Sequence, residues 1–188
     1  MNFREKAAYL AEIVRHLLVN SPVVYVAGVD RAERQALFAA FGELVGRVGV
    51  LSRTDSGGDS PVFPLDDMVE RVEECSFLVI TDPLSYSDAG KAIEHLRRMA
   101  ACFRCVLMLV GDSVEDLSAL NLRLVPQSIV VVAFQEAEMR ISLLSQWPHT
   151  YIALSAEDDS PRLISSDDRF VNAVGHFVTT IVSPTCEL

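Results

Sequence analysis

Cysteine is scarce in this chain and irregularly placed: four thiols among 188 residues, Cys75, Cys102, Cys105 and Cys186. The spacing is neither that of a disulfide framework nor that of a zinc site, because the one x₂ pair, Cys102 and Cys105, has no second pair and no neighbouring histidine. Buried thiols in a reducing compartment are the expectation. No run approaches the roughly 20 apolar residues of a membrane span. The segment Met1 to Val19 is not read as a signal peptide, since Arg4, Glu5, Lys6, Glu12, Arg15 and His16 interrupt it. Positive charge is also in deficit, 16 basic against 26 acidic side chains, a formal net charge of −10. That balance argues against direct nucleic-acid binding and against adhesion to anionic membranes, while a basic protein partner stays open. The one dense basic spot, Arg97-Arg98, reads as a solvated helix face. Enzyme signatures are missing too: no G-x-S-x-G, no H-E-x-x-H and no G-x-G-x-x-G occurs. His16, His95, His149 and His176 are scattered, and Asp66-Asp67 and Asp158-Asp159 read as solvated acids rather than metal ligands. Catalytic residues, cofactors and metal ions are therefore not expected, and the expected setting is intracellular, cytoplasmic or nuclear.

What the chain does have is strict alternation. Phe3, Ala7, Leu10, Val14 and Leu17 recur at helical spacing and predict an N-terminal helix. Short, β-branched, apolar runs then predict strands at 22–28, 47–52, 76–82, 105–111, 128–134 and 149–155. Helices are predicted at 31–45, 66–74, 86–102, 114–121, 135–146 and 167–182. Ala89, Ile93, Leu96, Ala100 and Phe103 make one apolar stripe, and Phe170, Val174, Phe177, Val178 and Ile181 another, with Ser166 or Asp167 as its N-cap. The segment Arg53–Pro64 reads as the most mobile loop, and 157–166 as a second polar loop. Strands apolar on both faces belong in a parallel sheet covered by helices. The expected fold is thus an α/β three-layer sandwich with a mainly parallel sheet of about six strands. Residues 1–21 would form a helix packed on or capping a domain spanning 22–188.

The most informative residues are Gly28-Val29-Asp30-Arg31-Ala32-Glu33-Arg34-Gln35, in the turn from the first strand to its helix. A phosphate-binding loop would read G-x-x-x-x-G-K-[S/T] there. The second glycine lets backbone amides wrap the phosphates, the lysine neutralises them and the hydroxyl holds Mg²⁺. Those three places hold Glu33, Arg34 and Gln35. Asp30 and Glu33 would repel polyphosphate, and glutamine is a poor substitute for the metal-binding hydroxyl.

With that turn, three further segments resemble a Ras-like small GTPase that has lost its nucleotide chemistry. Leu65-Asp66-Asp67-Met68-Val69 resembles the D-x-x-G switch segment, with Asp66 kept and Val69 in the glycine's place. Phe77 to Ser87 looks like a central strand followed by a polar turn and a long helix. Val106 to Leu117 resembles the strand leading to N-K-x-D, whose positions here read Asp112, Ser113, Val114 and Glu115. Near the end, Ser155-Ala156-Glu157 resembles S-A-K without its lysine. The resemblance spans about residues 22–182 and is to the degenerate branch, the pseudo-GTPases, of the kinetochore type and of the adaptin-binding type that helps assemble clathrin adaptors. It implies a small-GTPase-like sheet, with its second and third strands antiparallel, and a catalytically inactive subunit working through protein–protein contacts. The N-terminal helix and the 53–64 loop are the expected contact surfaces for other protein subunits.

Two rivals remain at this stage. A noncanonical nucleotide switch would use Arg34 in place of the loop lysine. A pseudo-receiver adaptor would use Asp30 and Asp82 as remnants of a phosphoacceptor pocket and would order its five strands 2-1-3-4-5.

Overall fold

Three apolar runs set the architecture. Val23–Ala27 (β1), Phe77–Thr81 (β3) and Val106–Val110 (β4) are buried at every position. A strand without a polar face must be covered on both sides, and alternation of side chains sorts its residues between the two faces of the sheet. Val23, Tyr25, Ala27, Leu78, Ile80, Leu107 and Leu109 form one cluster with Met68 and Val72 of α3 (Leu65–Glu74) and with Ile93, Leu96 and Ala100 of α4 (Ala89–Phe103). Val24, Val26, Phe77, Val79, Val106, Met108 and Val110 form the other. They meet Ala7, Leu10, Ala11 and Val14 of α1 (Phe3–Leu17) and Leu37, Phe38 and Phe41 of α2 (Arg31–Val45). Phe41 is held edge-on between Phe38 and Phe77, at ring separations of 6.4 and 5.4 Å.

The computed structural model describes residues 2–17, 23–53, 60–113, 116, 119–120, 122, 129–134, 150–153 and 162–165. Its sheet runs β2-β3-β4-β1-β5-β6-β7, with β2 at Val48–Leu51, β5 at Ile129–Ala133, β6 at Thr150–Ala153 and β7 at Arg162–Ser165. The core block β2-β3-β4-β1 is parallel throughout, with Val48 opposite Phe77, Phe77 opposite Val106 and Val23 opposite Leu107. β5 continues it on the far side of β1, Val23 facing Ile129; β6 follows in parallel and β7 returns antiparallel. No described helix is long and apolar enough to cross a membrane.

The predicted strands and helices through residue 110 fall where the periodicity places them, within a residue or two save the start of α4. Several expectations are corrected. The pairing of β2 with β3 is parallel, whereas the small-GTPase resemblance implies antiparallel pairing. The order places β4 and β5 beside β1, which is not the 2-1-3-4-5 order of a receiver. Residues 162–165 are a strand where a polar loop was expected; Leu163 and Ile164 pair with Ile152 and Tyr151, and the alternation is too short to stand out in sequence. Phe103, assigned to the buried stripe of α4, is 44% exposed, because the helix ends there and Arg104 turns into the left-handed region. Cysteine burial is mixed: Cys105 is buried, its thiol pushed up to about 12 chiefly by desolvation, while Cys102 is exposed.

The 60–64 end of the supposed mobile loop is anchored. Ser87 donates its backbone N–H to the Pro61 carbonyl at 2.9 Å, and Phe63 is buried edge-on against Tyr86 at 5.4 Å. The expected helices at 135–146 and 167–182 lie outside the described residues, as do Ser166, Asp167, His149, Asp158, Asp159, His176 and Cys186.

Candidate functional site

β1 stands between β4 and β5, and the chain leaves it for α2 on one face while β3 leads to α4 on the other. Loops that diverge in this way open a crevice at the carboxyl ends of the strands, the usual ligand position in an open α/β sheet. Here the crevice is filled by the protein's own charges.

The turn begins at Gly28, whose φ of 74° lies in the left-handed region that glycine enters without Cβ strain. Its N–H donates to the Asp112 carbonyl at 3.3 Å, tying the β1 turn to the end of β4. Asp30 is the N-cap of α2: its carboxylate accepts from the Ala32 N–H at 3.0 Å, and its carbonyl accepts from Glu33 and Arg34. A helix amino end is a natural anion site, and Asp30 supplies that anion from within. Glu33 turns outward to Lys6 of α1, with Nζ 2.8 Å from Oε2.

Arg34 turns inward. It is 4% exposed, and all three guanidinium nitrogens are engaged. Nε donates to the Val29 carbonyl at 3.2 Å, Nη1 to Asp82 Oδ1 at 2.6 Å and Nη2 to Asp112 Oδ1. Asp82 follows β3 directly and Asp112 comes two residues after β4, so one arginine clamps the ends of two neighbouring strands to the first turn of α2. Arg31 covers the pair from the solvent side, with Nη2 2.8 Å from Asp112 Oδ2 and 3.4 Å from Asp82 Oδ1.

The floor is equally constrained. Asp116 accepts the N–H groups of Asp112 and Ser113 at 3.0 and 3.1 Å, and the buried Tyr25 hydroxyl donates to the Ser113 carbonyl at 2.7 Å. A Cβ on Gly111 would stand 1.9 Å from the Tyr25 hydroxyl oxygen, so only glycine leaves room for that bond. Burial raises the Tyr25 phenol far above its ordinary value, and Asp116 adds to the rise, so the hydroxyl stays a donor. Partial burial opposes ionisation of Asp112, but hydrogen bonds from Arg31 and Arg34 outweigh it and hold the carboxyl below its ordinary value.

Of the positions singled out in sequence, Gly28, Asp30, Glu33, Arg34, Asp112 and Ser113 belong to this one cluster or its rim. Gln35 is exposed on α2, with no part in the cluster. Asp66 and Val69 are elsewhere: both sit on α3, Asp66 exposed in its first turn and Val69 packed against the core, on the sheet face opposite α2. The resemblance to a switch segment there is a helix start. Glu115, Ser155 and Ala156 lie outside the described residues. In sequence, Asp82 has a role only in a receiver-like pocket, and Arg31, Asp116 and Tyr25 have none. An acid directly after each of two apolar runs, Thr81-Asp82 and Gly111-Asp112, was the signal that could have paired them with an arginine.

Chemically, the arrangement is a closed ion cluster with, among the described residues, neither a free cation for a phosphate nor a free pair of acids for a metal. Among the described residues no three His, Cys, Asp or Glu side chains converge as metal ligands. No protein-family model matches the chain, and no curated protein matches it.

Proposed function

We propose that this chain is a catalytically inactive relative of nucleotide-binding α/β proteins, acting as a protein-interaction or assembly subunit in a larger complex. In its loop chemistry it is a pseudo-GTPase, although the parallel β2–β3 pairing sets its sheet apart from the small-GTPase pattern. A three-layer sandwich around the parallel core goes with this reading. The observation that carries the reading is Arg34. It stands where a phosphate loop has its lysine, and Asp82 and Asp112 already neutralise it. A nucleotide would have to extract a buried guanidinium from two carboxylates and then sit against Asp30, the cap of α2. A domain without that switch has one state, and its partners would recognise shape rather than nucleotide status.

The test is calorimetry and melting of the full chain with GTP, GDP and ATP, each with and without Mg²⁺. No heat and no rise in Tm at millimolar nucleotide is the expected outcome. Micromolar binding, or a Tm rise abolished by Arg34→Ala, would overturn it in favour of the noncanonical switch.

A further inference from the structure

Among the described residues β2 is an end strand with no neighbour but β3, and this edge offers a second kind of contact. In a parallel ladder a residue sends both its N–H and its C=O to the same side. The Arg47 carbonyl accepts from the Ser76 and Phe77 N–H groups of the β3 side, so Gly49 and Leu51 also face β3, and Val48 and Val50 present their backbone groups outward. Of these outward groups only the Val50 carbonyl has a partner among the described residues, Arg71 Nη1 of α3 at 3.2 Å. Proteins commonly guard an edge with such a charge, and this guard covers one end of it.

The surroundings carry more acid than base: beside Arg71 and the exposed Arg47 stand five carboxylates. Asp66, Asp67, Glu70, Glu73 and Glu74 are exposed along α3, and none is in an ion pair among the described residues. Asp67 and Glu74 lie four residues before and three after Arg71, so they share its side of the helix and flank it above the β2 edge. The side chain of Val50, 39% exposed, adds an apolar foothold.

Building on the assembly role above, we propose that β2 is a docking edge for an extended basic segment of a partner protein. The segment would add as a further strand on Val48 and Val50, with its lysine or arginine side chains alongside Asp67 and Glu74. Backbone pairing would supply the register and the carboxylates the selectivity for positive charge. The net charge of −10 would favour the approach of such a partner.

The experiment titrates the full chain with a fluorescein-labelled ten-residue peptide alternating lysine and valine, read by anisotropy and by amide exchange at Val48 and Val50. Saturable binding is expected. Exchange at those two amides should slow at least about tenfold, and binding should weaken about tenfold as salt rises from about 0.05 to 0.5 M. A peptide with prolines replacing its central valines should fail. The variant Asp67→Asn/Glu74→Gln should bind several-fold more weakly while melting within a degree or two of the parent. Three results would overturn the proposal: unchanged exchange at Val48 and Val50, equal binding of the proline peptide, or amides already protected in the free chain. The nucleotide calorimetry is run on the same sample. A failed peptide with silent nucleotides removes only the docking edge, whereas nucleotide binding removes the reading beneath it.

Discussion

Replacing Arg34 with methionine is the most direct probe of the closed cluster. The change keeps most of the buried stem and deletes the charge and its donors. Breaking a fully buried ion pair by removing one partner costs about 3–5 kcal/mol. Two features reduce that figure here. The side chains of Asp82 and Asp112 are 23% and 53% exposed, so water recovers part of their solvation, and Arg31 stays within 3.4 and 2.8 Å of them. A loss of about 2 kcal/mol is therefore expected. With a urea m-value of about 2 kcal/mol/M, that is a midpoint lower by about 1 M at neutral pH, read by far-ultraviolet circular dichroism. Adding Asp82→Asn should cost less in the Arg34→Met background than alone, because the two groups share one interaction. An unmoved midpoint would refute the reasoning, and so would additive losses, since either would mean the clamp contributes nothing to holding β3, β4 and α2 together.

Two further outcomes follow from the floor and the charge of the same site. Gly111→Ala should destabilise by about 2–5 kcal/mol, combining a steric clash with loss of the buried Tyr25 bond, and Tyr25→Phe should restore part of it by removing the hydroxyl that the new Cβ meets at 1.9 Å; a neutral Gly111→Ala on thermal melting would contradict the geometry. Asp112, held below the ordinary value of 3.8, contributes stability that is complete above the unfolded value and is lost as pH falls through the folded one. The Tm gap between the parent and Asp112→Asn should thus be widest near neutrality and close below about pH 4; a gap that widens on acidification would reverse the sign of the argument.

The elements that sequence resolved are those whose burial leaves no choice. Val23–Ala27, Phe77–Thr81 and Val106–Val110 are apolar at nearly every place, and the helices between them carry single apolar stripes, so strand, helix and parallel class could all be read locally. The order of strands could not, because it depends on which crossover passes which face, and runs alike in composition do not encode their neighbours. The same limit applied to the site. Motif spacing brought out Gly28 to Arg34 because those residues are contiguous. It said nothing of where Asp66 and Val69 stand relative to that turn, because a likeness of four residues carries no information about the sheet face. It left Asp82 without its partner, because Arg34 and Asp82 are joined only by a register that places β4 between β1 and β3.

That register also sets the energy a nucleotide would have to overcome. Drawing Arg34 out of its clamp costs about 2 kcal/mol by the reasoning above, and Asp30 facing a triphosphate adds about 1–2 kcal/mol at an effective dielectric near 20, while Glu33 faces Lys6 instead. A total of about 3–4 kcal/mol weakens a micromolar site by about two to three orders of magnitude. Gln35, where a phosphate loop has its hydroxyl, offers no such metal ligand besides. α1 then limits where partners can act, because Ala7, Leu10, Ala11 and Val14 are spent in the core beneath α2. Its apolar stripe is not available for docking, and deleting the helix would test folding before it tested assembly. A contact through α1 has to use its polar side, near Arg4 and Glu5, whereas β2, an end strand of the described sheet, has outward backbone groups to offer.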